Sequence, residues 1–180
     1  MQNRKKRVFP LIITILIMAF IFLQSALPAE LSKEESGMIV RALIEFLHVD
    51  AEILSFAVRK CAHFTEYMVL GLSLYASVRE YCPQSGEEAE RGLTETAPQI
   101  RSGQVPGTEL ETTPQIRSGQ LLRTALLSWG IGALYALTDE VHQSFVPGRS
   151  CEIRDILIDS CGVAAGVLIM AALRSRRAKS

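Results

Sequence analysis

Four apolar stretches alternate with polar segments along this 180-residue chain. A helix needs about 20 mainly apolar residues to cross a bilayer, and residues 8–27, 61–78, 121–141 and 156–173 all come near that length. No charge interrupts the first stretch, whereas the third is free of charge only between Arg123 and Asp139. The pattern predicts an all-α fold, an integral membrane bundle of about four transmembrane helices.

The first apolar stretch has two interpretations. The basic segment "MQNRKKR" precedes it and the small residues of "SALPA" follow, which is also typical of a cleaved signal peptide. Its apolar part is longer than the usual signal core, which favours an uncleaved span. Both interpretations send residue 30 to the outer side of the membrane.

Two polar segments connect the predicted spans. Residues 28–60 include a helical apolar period, so we expect an outer amphipathic helix that lies in the interface or packs on the bundle ends. Residues 81–120 hold the repeat "ETAPQIRSGQ" and "ETTPQIRSGQ", which is polar and has no apolar period. This composition predicts a disordered cytoplasmic linker, with peptide docking as the alternative role, inside a single membrane domain over residues 1–180. The apolar period of the outer segment consists of Met38, Ile39, Ala42, Leu43, Phe46 and Leu47.

The distribution of basic residues predicts the orientation. Basic clusters at 4–7 and 174–179 flank the first and last spans, and cytoplasmic flanks carry the excess of lysine and arginine. We therefore expect a multi-pass protein with both termini in the cytoplasm and with residues 28–60 and 142–155 outside. Net charge is zero, so nucleic acid is not an expected partner. No two cysteines have C-x-x-C spacing, although Cys61 and Cys151 are both predicted near the outer surface, where they could pair.

Ionisable residues inside spans are costly and usually functional. Lys60, His63 and Tyr67 share one face of the second span, which Glu66 borders. The predicted orientation brings this face to the same outer end as polar residues of the third span and of the segment that follows it. We therefore predict one outward-facing polar site made of Lys60, His63, Glu66, Tyr67, Asp139, Glu140, Gln143, Arg149 and Asp155, with His142, Arg154 and Asp159 nearby.

A structural role and a metal site remain alternatives for the same polar residues. They can pair simply to hold the bundle together, for example Lys60 with Asp139 or Glu66 with Arg149. Two histidines and several carboxylates are suitable metal ligands, but no H-E-x-x-H spacing is present, and neither a metal nor another cofactor is predicted. The small residues of "GIGALYAL" and "GVAAG" are expected to pack the third span against the fourth.

Three blocks of the chain resemble the VanZ-like family of membrane proteins. They are "RKCAHFTEYMVLG" (59–71), "LYALTDEVHQSFVPGRS" (134–150) and "RDILIDSCGVAAG" (154–166), and "LQSALPAELSKEESG" is similar to the serine-rich stretch after the family's first span. The resemblance covers most of the chain except residues 81–120. Two features depart from the family pattern: Asp159 stands where an asparagine is expected, and the inner linker is longer.

The resemblance implies a small multi-span protein of the cell membrane of Gram-positive bacteria, associated with low-level resistance to the glycopeptide teicoplanin. The first hypothesis is an envelope protein that touches cell-wall precursors or glycopeptides, with Lys60 and Arg149 holding a phosphate or carboxylate. The second is a membrane-embedded enzyme on a lipid-linked substrate, and the third is a structural or accessory protein. The expected partner is the lipid bilayer, while protein partners stay open. Catalytic candidates for the second hypothesis are His63, Glu66, Asp139 and Glu140.

Overall fold

The computed structural model of the protein describes residues 2–27, 50–81 and 114–177. Four helices account for most of these residues, and no strand occurs among them. They are α1 (Gln2–Ser25), α2 (Ala51–Tyr81), α3 (Pro114–Gln143) and α4 (Ile153–Arg177). Asp50 caps α2, since its Oδ1 accepts the backbone N–H of Glu52 at 2.8 Å. The predicted all-α bundle is confirmed.

Three of the described helices are long and apolar enough to cross a membrane, in the windows Val8–Ser25, Gly119–Gln143 and Ile153–Arg176. The chain is thus a membrane protein. Helix α2 is not among these three because its charged and polar side chains lower its mean hydropathy. At 31 residues it is nevertheless about 46 Å long. It contacts all three other described helices, so its polar side chains meet protein on several sides.

The four described helices alternate in direction. Thr14 of α1 bonds Ser77 near the end of α2, while Ser25 at the end of α1 bonds Asp139 near the end of α3. Lys60 in the first half of α2 pairs with Asp155 at the start of α4. Helices α1 and α3 therefore run one way, and α2 and α4 run the other. This arrangement brings the polar parts of α2, α3 and α4 to the same end of the bundle, which we call the polar end.

Glycines bring α2 and α4 into close contact. A Cβ on Gly162 would lie 2.5 Å from the backbone oxygen of Phe64, and one on Gly166 would overlap the backbone of Met68. The two glycines of the "GVAAG" run therefore pack on α2 and not on α3, contrary to the prediction, whereas Val163 between them meets α3 as predicted. Gly132 of "GIGALYAL" does meet α4, because a Cβ there would lie 2.5 Å from Val163. The small residues let backbones approach where no larger side chain would fit.

The remaining predictions for the connections differ from the structure at their ends. Helix α2 includes Tyr81, and α3 begins at Pro114, so residues 114–120 of the predicted linker are helical. Proline suits a first helical position, because the N–H that it lacks would have no partner there. The predicted amphipathic helix at 38–47 and the rest of the linker lie outside the described residues. Cys61 and Cys151 are free, exposed thiols, so the suggested pairing is not present.

We expect Gly166→Ala to lower the free energy of unfolding in detergent by about 1–3 kcal/mol, because the new methyl overlaps the α2 backbone. Gly130→Ala is the matched control, since no atom lies within 4 Å of a Cβ built there. Thermal unfolding of both purified variants measures the difference. Equal melting temperatures would contradict the close α2–α4 contact.

Candidate functional site

The polar end contains a pocket of about 240 Å³. Helix α2, the end of α3, the connection at 144–152 and the first turns of α4 form its walls. Phe56, His63 and Gln143 contribute one aromatic ring, one imidazole and one amide. The charged side chains are four basic and four acidic ones, namely Arg59, Lys60, Arg149, Arg154, Glu140, Glu152, Asp155 and Asp159. Because the numbers are equal, the pairing of these side chains determines which charges remain available to a ligand.

Asp139 lies beneath the pocket and ties three helices together. Its Oδ2 accepts hydrogen bonds from Ser25 of α1 at 2.8 Å, Tyr67 of α2 at 3.0 Å and Gln143 of α3 at 3.1 Å. The carboxylate is 2 % exposed and Tyr67 is fully buried. Its Oδ1 is also buried and has no hydrogen-bond partner. Burying a charge is costly unless hydrogen bonds compensate, so Asp139 depends on these three donors.

Two contacts join α2 to α4 at the pocket. Lys60 Nζ donates to Asp155 Oδ2, and the phenyl ring of Phe56 lies 5.4 Å below the same ammonium group. One helical turn further along, His63 Nδ1 lies 4.0 Å from Asp159 Oδ1. This separation is longer than a hydrogen bond but close enough for an electrostatic interaction. The Lys60–Asp155 pair and the His63–Asp159 contact both line the cavity.

The connection between α3 and α4 is held by the side chains at the end of α3. Glu140 Oε1 accepts the backbone N–H of Glu152 at 2.9 Å, just before α4 begins. Gln143 Oε1 accepts a hydrogen bond from Arg149 Nη1 at 3.1 Å. Gly148 allows the chain to turn between them, because its φ of 77° is a conformation that L side chains rarely adopt. The turn at Gly148 thus aims Arg149 back into the pocket.

Glu66 lies apart from the pocket, on an apolar groove between α1 and α2. With the Gln24 amide nitrogen facing the carboxylate, Gln24 donates to Glu66 Oε1 at 2.5 Å. The groove has a volume of about 660 Å³, and Ile13, Leu16 and Phe20 form part of its lining. Leu16 is 63 % exposed, as expected of a side chain that meets lipid. Glu66 therefore faces the membrane side of α2 and not the polar pocket.

The rest of the predicted site residues lie at the polar end, in places that the sequence did not specify. Lys60, His63, Glu140, Gln143, Arg149 and Asp155 line the pocket, while Tyr67 and Asp139 lie beneath it. The suggested pairs Lys60–Asp139 and Glu66–Arg149 are wrong, because Asp155 and Gln24 are the actual partners. His142 stacks on Phe22 with ring centres 4.2 Å apart, which places it against α1.

Sequence reasoning missed three residues with a part in this end of the molecule. Arg59 lines the pocket, and its spacing of four residues from His63 on α2 was the signal for it. Ser25 and Gln24 lie at the end of the apolar stretch of α1, for which no polar site was predicted. The signal for these two was the serine-rich stretch "LQSALPAELSKEESG", which begins at residue 23.

The described residues contain no group of three or more histidines, cysteines and carboxylates arranged to hold a metal ion. The carboxylates of the pocket are spread over ion pairs, backbone contacts and the histidine, and do not converge on one point.

A family model described as VanZ/LLP1 matches residues 9–174. The chain belongs to the VanZ/LLP1 family. No curated protein and no solved structure matches it. The VanZ/LLP1 match spans all four described helices, and the three sequence blocks that resemble the family converge at the polar end. Asp159, the departure from the expected asparagine, is 2 % exposed and faces His63. In this VanZ/LLP1 chain the extra carboxyl group therefore meets the one imidazole of the pocket.

We expect Tyr67→Phe to lower the free energy of unfolding in detergent by about 0.5–2 kcal/mol, because Asp139 loses one of its three donors. Tyr81→Phe is the control, since that ring is 51 % exposed at the opposite end of α2. Chemical or thermal unfolding of the purified proteins compares them. The same stability for Tyr67→Phe and the parent would contradict the bridging role of Asp139.

Proposed function

We propose that this membrane protein binds an anionic group of a cell-envelope component at the polar pocket. The observation that carries the proposal is Arg149, which enters the pocket and donates to the neutral Gln143 amide. No described carboxylate forms an ion pair with it. A guanidinium group that is partly buried without an ion-pair partner is well suited to a carboxylate or phosphate of a ligand.

The size of the pocket restricts what it encloses. Drug-sized ligands occupy cavities of about 300–1,000 Å³, and this cavity measures about 240 Å³. It holds a head group or one charged substituent. A cell-wall precursor or a glycopeptide would therefore present one anionic group to the pocket and leave the rest of the molecule outside. Binding of this kind is the proposed basis of a contribution to teicoplanin resistance.

The proposed orientation places the polar end on the outer side of a bacterial cell membrane. Four spans with both termini in the cytoplasm agree with the alternating helix directions and with the basic residues at both chain ends. In this proposal α2 is the fourth span. Its charged residues are tolerated because the neighbouring helices cover them, as is usual for buried polar groups of membrane bundles. The outer side is also where cell-wall precursors and glycopeptides meet.

The orientation predicts which cysteines an impermeant maleimide reaches in intact cells. Cys151 is exposed in the connection at the polar end, so it should be labelled when the other three cysteines are replaced by serine. A second variant carries Leu110→Cys as its one cysteine and should react only after the cells are opened. Labelling of position 110 in intact cells, with Cys151 protected, would reverse the orientation.

A membrane-embedded enzyme is the second candidate function, and the contact between His63 and Asp159 favours it. Both residues line the pocket with 4.0 Å between Nδ1 and Oδ1. A carboxyl group beside an imidazole orients it for general acid–base catalysis on a bound group. The remaining catalytic candidates are less suited: Asp139 is enclosed by its donors, Glu140 holds the α4 start, and Glu66 faces the groove.

A structural role is the third candidate, since the same contacts hold the four described helices together at this end. Arg149→Gln separates it from binding, because Arg149 donates only to Gln143 and holds no helix pair. We expect this variant to lose teicoplanin protection at least fourfold while its membrane level stays at the parent's. Arg174→Gln, on the last turns of α4, is the control and should keep full protection.

The level of protein decides between the remaining outcomes of this experiment. Protection that falls in proportion to membrane level would favour the structural role, and unchanged protection in Arg149→Gln would overturn anion binding. His63→Asn then distinguishes an enzyme from a binding protein. An enzyme loses protection in this variant while ligand binding persists, whereas a binding protein keeps both.

A further inference from the structure

The ion pairs of the pocket leave two of its four basic side chains without a counter-charge. Lys60 is paired with Asp155, and Arg154 is paired with Glu152 at 2.7 Å. Arg59 and Arg149 form no ion pair with any described carboxylate. The predicted anion-binding lysine is therefore already neutralised, and an arginine next to it in sequence is free.

Arg59 carries a second sign of an absent partner. Its Nε is buried and has no hydrogen-bond partner, although the residue lines the pocket. A buried N–H donor without an acceptor is unfavourable, and such groups in native proteins usually have a specific reason. A ligand oxygen in the pocket would supply the acceptor. The remaining orphaned atoms of the described residues that lie at this end are carboxylate oxygens and an imidazole nitrogen that faces Phe22.

The two free guanidinium groups lie close enough to influence each other. Burial is the largest cause that lowers the pKa of Arg149, Asp139 raises it, and the Arg59 charge lowers it further. Like charges near each other are destabilising unless an anion lies between them. The geometry of one small cavity with two unpaired arginines therefore favours a single shared anion.

We propose that Arg59 and Arg149 together bind one terminal phosphate group. This inference rests on the proposed anion-binding function and names the ligand class of the same pocket. Each guanidinium fork matches two oxygens of a planar or tetrahedral anion. A carboxylate offers two acceptor oxygens, and one fork can already engage both, whereas a terminal phosphate offers three non-bridging oxygens. Two unpaired forks therefore fit a phosphate better than a carboxylate.

The acidic side chains of the pocket agree with a phosphate that keeps one proton. Asp159 lies on α4 and lines the same cavity, where its carboxyl oxygens can accept a hydrogen bond from a ligand. A phosphate monoester in its singly protonated form has one O–H that can donate to a carboxylate. A phosphodiester lacks this donor. The proposed ligand class is thus a terminal phosphate group on a lipid or on a soluble molecule.

The test uses the full-length protein in phosphatidylcholine nanodiscs and titrates inorganic phosphate, with acetate as the carboxylate probe. We expect phosphate to bind at least tenfold more tightly than acetate. Arg59→Lys and Arg149→Lys keep the charge but lose the fork, and each should weaken phosphate binding at least tenfold. Arg123→Lys, on the first half of α3 and outside the pocket, should bind as the parent does.

A second measurement needs no variant. Phenylglyoxal modifies accessible arginines, and mass spectrometry then reports the extent at each position. Phosphate should protect Arg59 and Arg149 but leave Arg174 at the opposite end of the bundle unchanged. Nanodiscs that contain phosphatidic acid separate the two sources: protection without added phosphate indicates a lipid headgroup, and protection only with added phosphate indicates a soluble ligand.

The outcomes distinguish this inference from the function on which it rests. If phosphate binds and only Arg149→Lys weakens it, with Arg59 unprotected, the paired site is wrong while anion binding stands. If acetate binds as tightly as phosphate, the phosphate class is wrong. If neither probe binds and no arginine is protected in either type of nanodisc, both the paired site and the proposed function are overturned.

Discussion

The buried carboxylate of Asp139 is the constraint on which the polar end depends. It receives hydrogen bonds from α1, α2 and α3 at one oxygen, so a shift of α1 or α2 relative to α3 would remove one of its donors. Removing one partner of a buried charge is costly because the charge that is left stays desolvated. The carboxylate therefore fixes the positions of three helices along the bundle axis. Gln143 bonds both Asp139 and Arg149, and so links the carboxylate to the connection between α3 and α4. Helix α4 is positioned separately, by Lys60 with Asp155 and by the close glycine contacts on α2.

The central position of α2 explains how so many polar side chains are accommodated. Four of its ionisable residues near the polar end meet three different helices: Lys60 and His63 meet α4, Tyr67 meets α3, and Glu66 meets α1. A helix with these residues would insert poorly alone, because charged groups in hydrocarbon are costly. Its stability in the membrane thus comes from its neighbours. The result is a bundle in which the described helix that lacks a clear apolar span contacts the remaining three.

The overall plan was predictable because it follows from periodicity and charge. The apolar stretches located the helices, and the alternation of spans brought residues about 80 positions apart, such as Lys60 and Asp139, to one end. The partners of individual side chains were not predictable. Spacing of i, i+3 and i+7 places residues on one face of a helix but does not determine which neighbouring helix that face meets. Glu66 lies at the edge of the face and meets α1. Ser25 was not predicted as a site residue, because a serine in an apolar helix indicates a buried contact only when its acceptor, here Asp139, is known.

The position of Arg59 illustrates why pairing, and not composition, determines what this pocket can recognise. By composition the pocket is neutral, with four basic and four acidic side chains. Coulomb interactions at short range in a low dielectric are strong enough to make pairs such as Lys60 with Asp155 act as neutral units. The residual positive charge then lies at Arg59 and Arg149, while Glu140 and Asp159 form no ion pair with a described lysine or arginine and can accept hydrogen bonds. A ligand with both an anionic group and a hydrogen-bond donor would match this lining. A protonated terminal phosphate carries both within a single group.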